Sequence, residues 1–548
     1  MYSQNVAFVR ANEHDYEYQM WHEDLRIGYA HSMLTREGIT AGVFDYAMKP
    51  LIDEADFDNA LSDIHTSGAT VIIFAVEKAP TNSPFYTAEL IERVAADMRF
   101  SGKSLVLYGL TAVGSRRFLR DLPLTAVVTG EEDDLVAVVK CLLAGICFDG
   151  QRGVVFRDAT NTIKENAPSK LRTLDSLPLP YRYYFENVSE HSCHHGYVGG
   201  LFASRGCYAS CTFCYLRAYD AAYGSYPWRG RDPHKIADEM AVLYEEKRVR
   251  EFAFLDPNFF GPGIAGQKWA MQLAEAITKH KMRDASFSLY ARANDMHAET
   301  LGALKHAGLY AVFIGIESFS DRVLKRYRKG TTVAQNWRAI DLLMSHDIRL
   351  RMGFIMFDEI TNDEEIQQNL AALREIAGAK PHLITQPLFF NNLLVPLEDT
   401  PSETEPSIAV ESISEALARQ QVILSRGNAS VRFSSLRVAS FAEAVRLISS
   451  ELLQRSTALE NKLSTTIREN SSVFAFPADA ALSWFDGLTD LCIGLMCSCY
   501  DAGYVTEDLR ATQVKVVEYV RSACRAYDTL KLGYPLHAPR DSVTQVFN

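Results

Sequence analysis

Three cysteines within eight residues constrain this chain most: Cys207, Cys211 and Cys214, in Ser204-Arg205-Gly206-Cys207-Tyr208-Ala209-Ser210-Cys211-Thr212-Phe213-Cys214. The C-x3-C-x2-C spacing puts three thiolates on one short loop. They can hold three irons of a [4Fe–4S] cluster and leave the fourth iron to a ligand from outside the chain. Phe213, just before the last cysteine, suits packing against a flat ligand at that open iron. The competing reading is a zinc knuckle or three buried thiols. Zinc sites usually take four protein ligands, and no Cys or His follows Cys214 at finger-like spacing. Arg205 and Gly206 are expected to shape the loop, the glycine allowing a tight approach.

Composition bounds the rest. A chain of 548 residues holds two to four domains with ample core. Its 47% hydrophobic and 23% charged residues are ordinary for a soluble protein. A net charge of −12 argues against a broad surface for nucleic acid. Met1-Tyr2-Ser3-Gln4-Asn5 shows no basic region followed by an apolar core, so no signal peptide is expected. No apolar run reaches membrane-spanning length. Ten cysteines in so long a chain do not read as a secreted disulfide framework. The cytoplasm is the expected compartment, with no membrane partner.

Hydrophobic patterning divides the chain into four stretches. Residues 1–150 alternate apolar runs with amphipathic ones: strands at 5–9, 41–46, 70–75, 104–109 and 126–130, and helices at 21–36, 57–67 and 83–100. That alternation predicts a doubly wound, Rossmann-like parallel sheet. Ligands on such sheets sit outside the carboxyl ends of the strands, which nominates Tyr108, Gly109, Leu110 and Thr111 with Thr129, Gly130 and Glu131. Residues 151–197 look like an irregular, proline-bearing linker. Residues 198–400 alternate again, with strands near 199–203, 251–255, 286–290, 311–315 and 351–355, predicting a partial (β/α) barrel with its chemistry on the loops after the strands. From 401 to 548 the pattern is helical, over 408–425, 441–458, 477–502 and 507–532.

Several segments in chain order resemble the cobalamin-binding branch of the radical SAM family, and its methyltransferases in particular. They are the cysteine loop, Phe254-Leu255-Asp256-Pro257-Asn258-Phe259-Phe260, Tyr290-Ala291-Arg292-Ala293-Asn294, and Gly315-Ile316-Glu317-Ser318 with Lys329-Gly330-Thr331-Thr332 behind it. Gly353-Phe354-Ile355-Met356-Phe357-Asp358 completes the set. The likeness runs over about residues 70–395. It implies a [4Fe–4S] cluster that binds S-adenosylmethionine (SAM) and cleaves it to a 5′-deoxyadenosyl radical. By the same resemblance, Phe213, Asp256, Arg292, Glu317 and Ile355 are candidate SAM contacts. Each has an alternative. Phe213 and Ile355 serve equally as core, Asp256 as a loop shaper, Glu317 as one half of a structural ion pair, and Arg292 as a partner for Glu317 or Asp256. Arg292 suits the SAM carboxylate because its guanidinium is planar and always charged.

The first stretch resembles that branch's cobalamin-binding domain. Val128-Thr129-Gly130-Glu131-Glu132-Asp133 is similar to its G-E-x-E segment, and Tyr108-Gly109-Leu110-Thr111 falls where the family often has paired glycines; here there is one. The resemblance implies cobalamin at Tyr108, Gly109, Thr111, Thr129, Gly130 and Glu131. Asp63-Ile64-His65-Thr66-Ser67-Gly68 matches a cobalt-ligating D-x-H-x-x-G, but it closes a helix on the wrong edge of the sheet; Gly68 reads better as a helix cap. His191, Cys193, His194 and His195 read as a solvent-facing or strand-entry segment, and Cys497 and Cys499 as buried thiols.

The implied reaction is methylation of an unactivated carbon in a small-molecule, carrier-bound or peptide substrate, as in secondary metabolism. The electron would come from an external donor of flavodoxin or ferredoxin type. A non-methylating rearrangement, ring contraction or cyclisation stands as the alternative. No residue is nominated as an acid–base or nucleophilic catalyst, because the cofactors carry such chemistry.

Overall fold

The computed structural model describes residues 5–11, 23–46, 51, 53–76, 85–109, 114–187, 198–379, 423–426, 429–433, 435, 437–449, 452, 491–501, 505 and 512–522. The chain forms two compact units: Met1–Phe287 with Pro396–Glu403, and Ser288–Val395 with Thr404–Asn548.

The first unit opens with the expected alternation: β1 (Val6–Arg10), α1 (Leu25–Arg36), β2 (Ala41–Asp45), α2 (Glu54–Thr66), β3 (Val71–Val76), α3 (Phe85–Ala96), β4 (Ser104–Gly109), α4 (Ser115–Asp121), β5 (Ala126–Val128) and α5 (Glu132–Ala144). Every residue of β3 is buried, as a strand covered on both faces requires. Successive side chains point to opposite faces. Val9, Ile72, Phe74 and Leu107 therefore join one core with Phe57 and Leu90. Phe8, Ile73, Val106 and Tyr108 join the other with Ile27 and Val138.

The sheet has seven strands in the order β2-β1-β3-β4-β5-β6-β7. Its last two strands, β6 (Val154–Arg157) and β7 (Ile163–Asn166), form an antiparallel extension inside the stretch read as an irregular linker. The apolar run Val154-Val155-Phe156 is too short to announce a strand by itself; it becomes one because β5 offers it an edge. Its turn is built by Asp158, whose carboxylate accepts from the backbone N–H of Thr160 and of Thr162. The dismissed His65 lies in the last turn of α2 with its ring against Phe100, and Gly68, at φ 70°, ends that helix as expected.

After α6 (Tyr183–Asn187) the first unit continues through β8 (Gly199–Leu201), β9 (Ser204–Arg205), α7 (Leu216–Tyr223), β10 (Arg229–Gly230), α8 (Pro233–Glu246), β11 (Glu251–Phe254) and α9 (Gly263–Lys279). β8 and β11 pair in parallel, and β9 pairs antiparallel with β10. Strand β12 (Ser286–Arg292) carries the chain into the second unit. There α10 (Ala298–His306), β13 (Leu309–Glu317), α11 (Asp321–Arg326), α12 (Val333–Ser345), β14 (Arg349–Phe354) and α13 (Asp363–Ala379) repeat the alternation, with β13 and β14 parallel.

The C-terminal stretch is helical at 437–449, 491–501 and 512–522. It also holds a hairpin, β15 (Ile423–Arg426) and β16 (Ala429–Arg432), where a helix ending at Ser425 was expected. Gly427-Asn428 between two short apolar runs is a hairpin signal that helical spacing upstream obscured. Tyr500 donates to Asp363 at 2.9 Å and Phe441 packs on Phe357, so these helices cover the end of β14 and the start of α13. Cys497 and Cys499 are buried. Thr111 and the His191–His195 segment lie outside the described residues.

One buried arginine ties the connecting segment to both halves of the first unit. Arg182 donates to Glu23 at 2.9 Å, to Glu239 on α8 at 2.5 Å and to the Gly200 carbonyl on β8 at 2.9 Å. Removing one partner of a buried pair leaves charge uncompensated, at a cost of about 3–5 kcal/mol. Arg182→Ala is therefore expected to lower the denaturant midpoint of the first unit by that order, read from tryptophan fluorescence. A loss under about 1 kcal/mol would show that the two carboxylates find other partners.

Candidate cofactor site

The cysteine loop leaves β9 through Gly206, whose φ of 80° and surroundings admit no side chain. A Cβ there would lie 2.2 Å from the Pro227 carbonyl oxygen. The Ala209 N–H points at the Cys207 sulfur at 3.4 Å, the Cys214 N–H donates to the Cys211 carbonyl at 3.3 Å, and the Arg217 N–H to the Cys214 carbonyl at 2.9 Å. Helix α7 thus begins directly behind the last cysteine. Cys211 is buried, while Cys207 and Cys214 are half-buried. Burial, reinforced by Cys211 and Cys207, pushes the Cys214 thiol up to about 12. The three sulfurs are therefore within electrostatic reach of one another, and metal loading must displace their protons. Among the described residues no three His, Cys, Asp or Glu side chains are close enough to hold a single ion.

Both flanks of this loop dock on the carboxyl end of the seven-stranded sheet. On the near side, Arg205 makes two 2.8 Å bonds to Glu132 and lies 3.6 Å from Glu131. Its guanidinium is also 5.4 Å from the rings of Tyr29 and Phe202. On the far side, Tyr219 on α7 donates to the Gly109 carbonyl at 2.8 Å, and Tyr226 to Glu131 at 2.7 Å. The Tyr223 hydroxyl accepts from the Glu131 N–H at 2.9 Å. Arg229 donates to Glu131 at 2.5 Å. Burial acts to raise the Glu131 carboxyl, but Arg205 and Arg229 outweigh it and hold it below the usual range.

The residues nominated on the sheet fall into two groups. Gly109, at φ 123°, needs its missing side chain, since a Cβ would sit 2.1 Å from the Val76 carbonyl oxygen. Gly130 makes room for the Asp134 carboxylate, 1.8 Å from where its Cβ would be. Tyr108 is buried in the core, and Glu131 is committed to the two arginines. Thr129 differs: it is buried, and its hydroxyl has no hydrogen-bond partner among the described residues. An orphaned hydroxyl just past β5 fits an amide-bearing ligand such as cobalamin there.

Asp256, at the end of β11, is 1% exposed. One of its oxygens accepts from the Ser204 N–H, so it does shape the entry to the cysteine loop. Its other oxygen has no partner among the described residues, which leaves it able to bond a ligand hydroxyl or ammonium. Burial pushes this carboxyl up to about 7, against the hydrogen bonds from Ser204. Phe213 is half-buried beside the cysteines.

In the second unit, Glu317 ends β13 at φ 63°, a left-handed conformation that is rare outside glycine. Its carboxylate bonds Lys329 at 2.8 Å. Gly315 makes space for the pair: a Cβ there would lie 2.4 Å from the Glu317 carboxylate and 2.6 Å from the Lys329 ammonium. Arg292 donates to the Lys329 carbonyl, and the Ile355 N–H to the Glu317 carbonyl at 2.8 Å. Arg292 and Glu317 are thus brought together through Lys329, a residue not nominated from sequence although it opens the Lys329-Gly330-Thr331-Thr332 segment, and half-buried Ile355 joins them through the Glu317 carbonyl. The tyrosines were also missed. Tyr215, Tyr219 and Tyr223 recur every fourth residue, the spacing of one helix face.

Residues 201–373 match the Radical SAM superfamily, and this part of the chain is a radical SAM domain. The family implies a [4Fe–4S] cluster and SAM. The fold as a whole is similar to that of OxsB, a cobalamin-dependent S-adenosylmethionine radical enzyme solved with aqua-cobalamin bound. The likeness has a TM-score of 0.64 and 16% identity, over 95% of this chain and 84% of that one. In sequence, the chain is 27% identical over 249 residues to an uncharacterised methyltransferase of Pyrococcus horikoshii, covering 45% of this chain and 52% of the relative. It is 28% identical over 268 residues to 4′-phospho-dehydrooxetanocin synthase of Priestia megaterium, covering 44% of this chain and 34% of the relative. The matches thus span about half or less of these relatives. Among the described residues no helix is long and apolar enough to cross a membrane.

Asp256 carries a pH signature. Unfolded, its carboxyl loses its proton near pH 3.9, whereas folded it keeps it to about pH 7. The folded chain binds more protons across that window, so stability falls as pH rises through it and the loss is complete above about pH 7. Asp256→Asn is expected to remove this contribution and to be relatively more stable than wild type at pH 8 than at pH 5, by denaturant midpoint. An unchanged difference between the two pH values would contradict a proton held at Asp256.

Proposed function

We propose that this chain is a cobalamin-dependent radical SAM enzyme that methylates an unactivated carbon of a small-molecule, carrier-bound or peptide substrate. The observation that carries this reading is the docking of the three-cysteine loop on the carboxyl end of the seven-stranded sheet, Tyr219 on Gly109 and Arg205 on Glu132. Such a sheet end is where doubly wound domains bind ligands. A cofactor held there and one held by the cysteines would share a neighbourhood.

When bound, the cofactors supply reductive cleavage of SAM to a carbon-centred radical and a transferable methyl group. The chain's own residues bind and orient. Cys207, Cys211 and Cys214 hold the cluster, and Gly206 lets the loop turn back against Pro227. Phe213 offers apolar surface beside the cysteines. The remaining oxygen of Asp256 offers a hydrogen bond, as donor while the carboxyl is protonated and as acceptor above about pH 7, and Arg292, Glu317 and Lys329 form a charged group matched to an amino acid's carboxylate and ammonium. Thr129 is the contact proposed for cobalamin. The electron is supplied by an external flavodoxin- or ferredoxin-type donor, and the cytoplasm suits so reducible a centre.

A second reading is a non-methylating rearrangement, ring contraction or cyclisation. It is favoured by the resemblance to a relative named as a synthase rather than a methyltransferase. Protein made with cobalamin supplied and purified without oxygen should carry close to one cobalamin and one cluster per chain by absorption. With SAM and a reductant it should yield 5′-deoxyadenosine, and Cys211→Ala should abolish both cluster and cleavage. Substrate should gain one CH2 in mass. A substrate consumed with no such gain favours the second reading. A full cluster without cobalamin would refute the cobalamin assignment.

A further inference from the structure

We propose that Glu131, Glu132, Arg205 and Arg229 form a buried charge latch that positions the cysteine loop and tunes the reduction potential of its cluster. The N-terminal sheet domain would then be part of the electron-accepting site. This rests on Cys207, Cys211 and Cys214 being cluster ligands.

The latch answers a problem set by local structure. In the antiparallel pairing of β9 with β10, Arg205 stands directly opposite Arg229. Like charges in that relation repel. Both side chains are largely buried, so water cannot screen them. Glu131 and Glu132 enter from the sheet domain and neutralise them: Arg205 takes both oxygens of Glu132, and Glu131 lies 3.6 Å from Arg205 and 2.5 Å from Arg229. Two negative and two positive groups balance. The carboxylates sit at the start of α5, where the helix dipole favours negative charge. Tyr226 completes the group by donating to Glu131 at 2.7 Å.

A buried ion pair adds little net stability over an apolar pair, so its main effect here is geometric. Two parallel bonds from a planar guanidinium fix direction as well as distance. Arg205 lies two residues before Cys207, so their Cα atoms are within about 7.6 Å. Whatever holds Arg205 therefore holds the first ligand. In a low-dielectric setting, the full charge carried by the residue two before a ligand would also act on the redox centre. Arg205 favours the reduced, more negative cluster, and Glu132 offsets it.

The two members thus pull the potential in opposite directions, which loosened packing would not do. The test uses full-length protein, reconstituted without oxygen and titrated with dithionite while the reduced cluster is followed by EPR. Glu132→Gln exposes the charge of Arg205 and should shift the midpoint positive. Arg205→Gln leaves the carboxylates in excess and should shift it negative. Glu132→Asp keeps the charge and should stay near wild type. If Arg205→Gln binds no iron, Glu131→Gln replaces it and should shift the midpoint positive with Glu132→Gln. Unchanged midpoints, a Glu132→Gln shift in the negative direction, or Arg205→Gln and Glu132→Gln shifting alike would overturn the latch. Wild-type protein that takes up no iron would instead refute the cluster assignment.

Discussion

Two arginines facing each other across a two-residue ladder, Arg205 and Arg229, are the constraint around which the cysteine loop is built. Such a pair is tolerable in a buried position only when anions meet it. The anions come from Glu131 and Glu132 at the start of α5, far earlier in the chain but within the same compact unit. The requirement joins two pieces of structure that local propensity leaves unrelated. It also explains why the loop's other flank returns to the same place: Tyr219, Tyr223 and Tyr226 bind the end of β4 and the start of α5 beside the arginines.

The second unit solves a similar problem by different means. Glu317 is held in a left-handed conformation, at a cost on the order of 1–3 kcal/mol for a residue with a side chain. The bond to Lys329 and the space left by Gly315 offset it. Strain is thus kept at a strand end where a lysine and an arginine gather.

Much of the fold was legible because its strands are continuous apolar runs and its helices amphipathic. Val71–Val76 is buried throughout and could hardly be anything but a central strand. The hairpins at Val154–Asn166 and Ile423–Arg432 were not legible. Their apolar runs are short, and the first of them becomes a strand only because a neighbouring edge is there to pair with. Of the candidate site, the cysteines and Gly206 stand out by spacing and type. Lys329 and the tyrosines were overlooked because nothing in a linear reading says which long side chains turn toward a site.

Local sequence by itself determined the chemistry on offer: three thiols in one loop, a glycine to turn it, and acidic and basic groups at strand ends. Those properties belong to residue type and short-range spacing, which survive without a fold. Tertiary structure alone decided which charges neutralise which. Glu131 reads as a free carboxylate for a cofactor until the fold places it between Arg205 and Arg229. Thr129 reads as an ordinary threonine until burial leaves its hydroxyl without a partner. The reason is physical: the energy of a buried polar group is set by what meets it across space, and that distance is not written in the order of the chain.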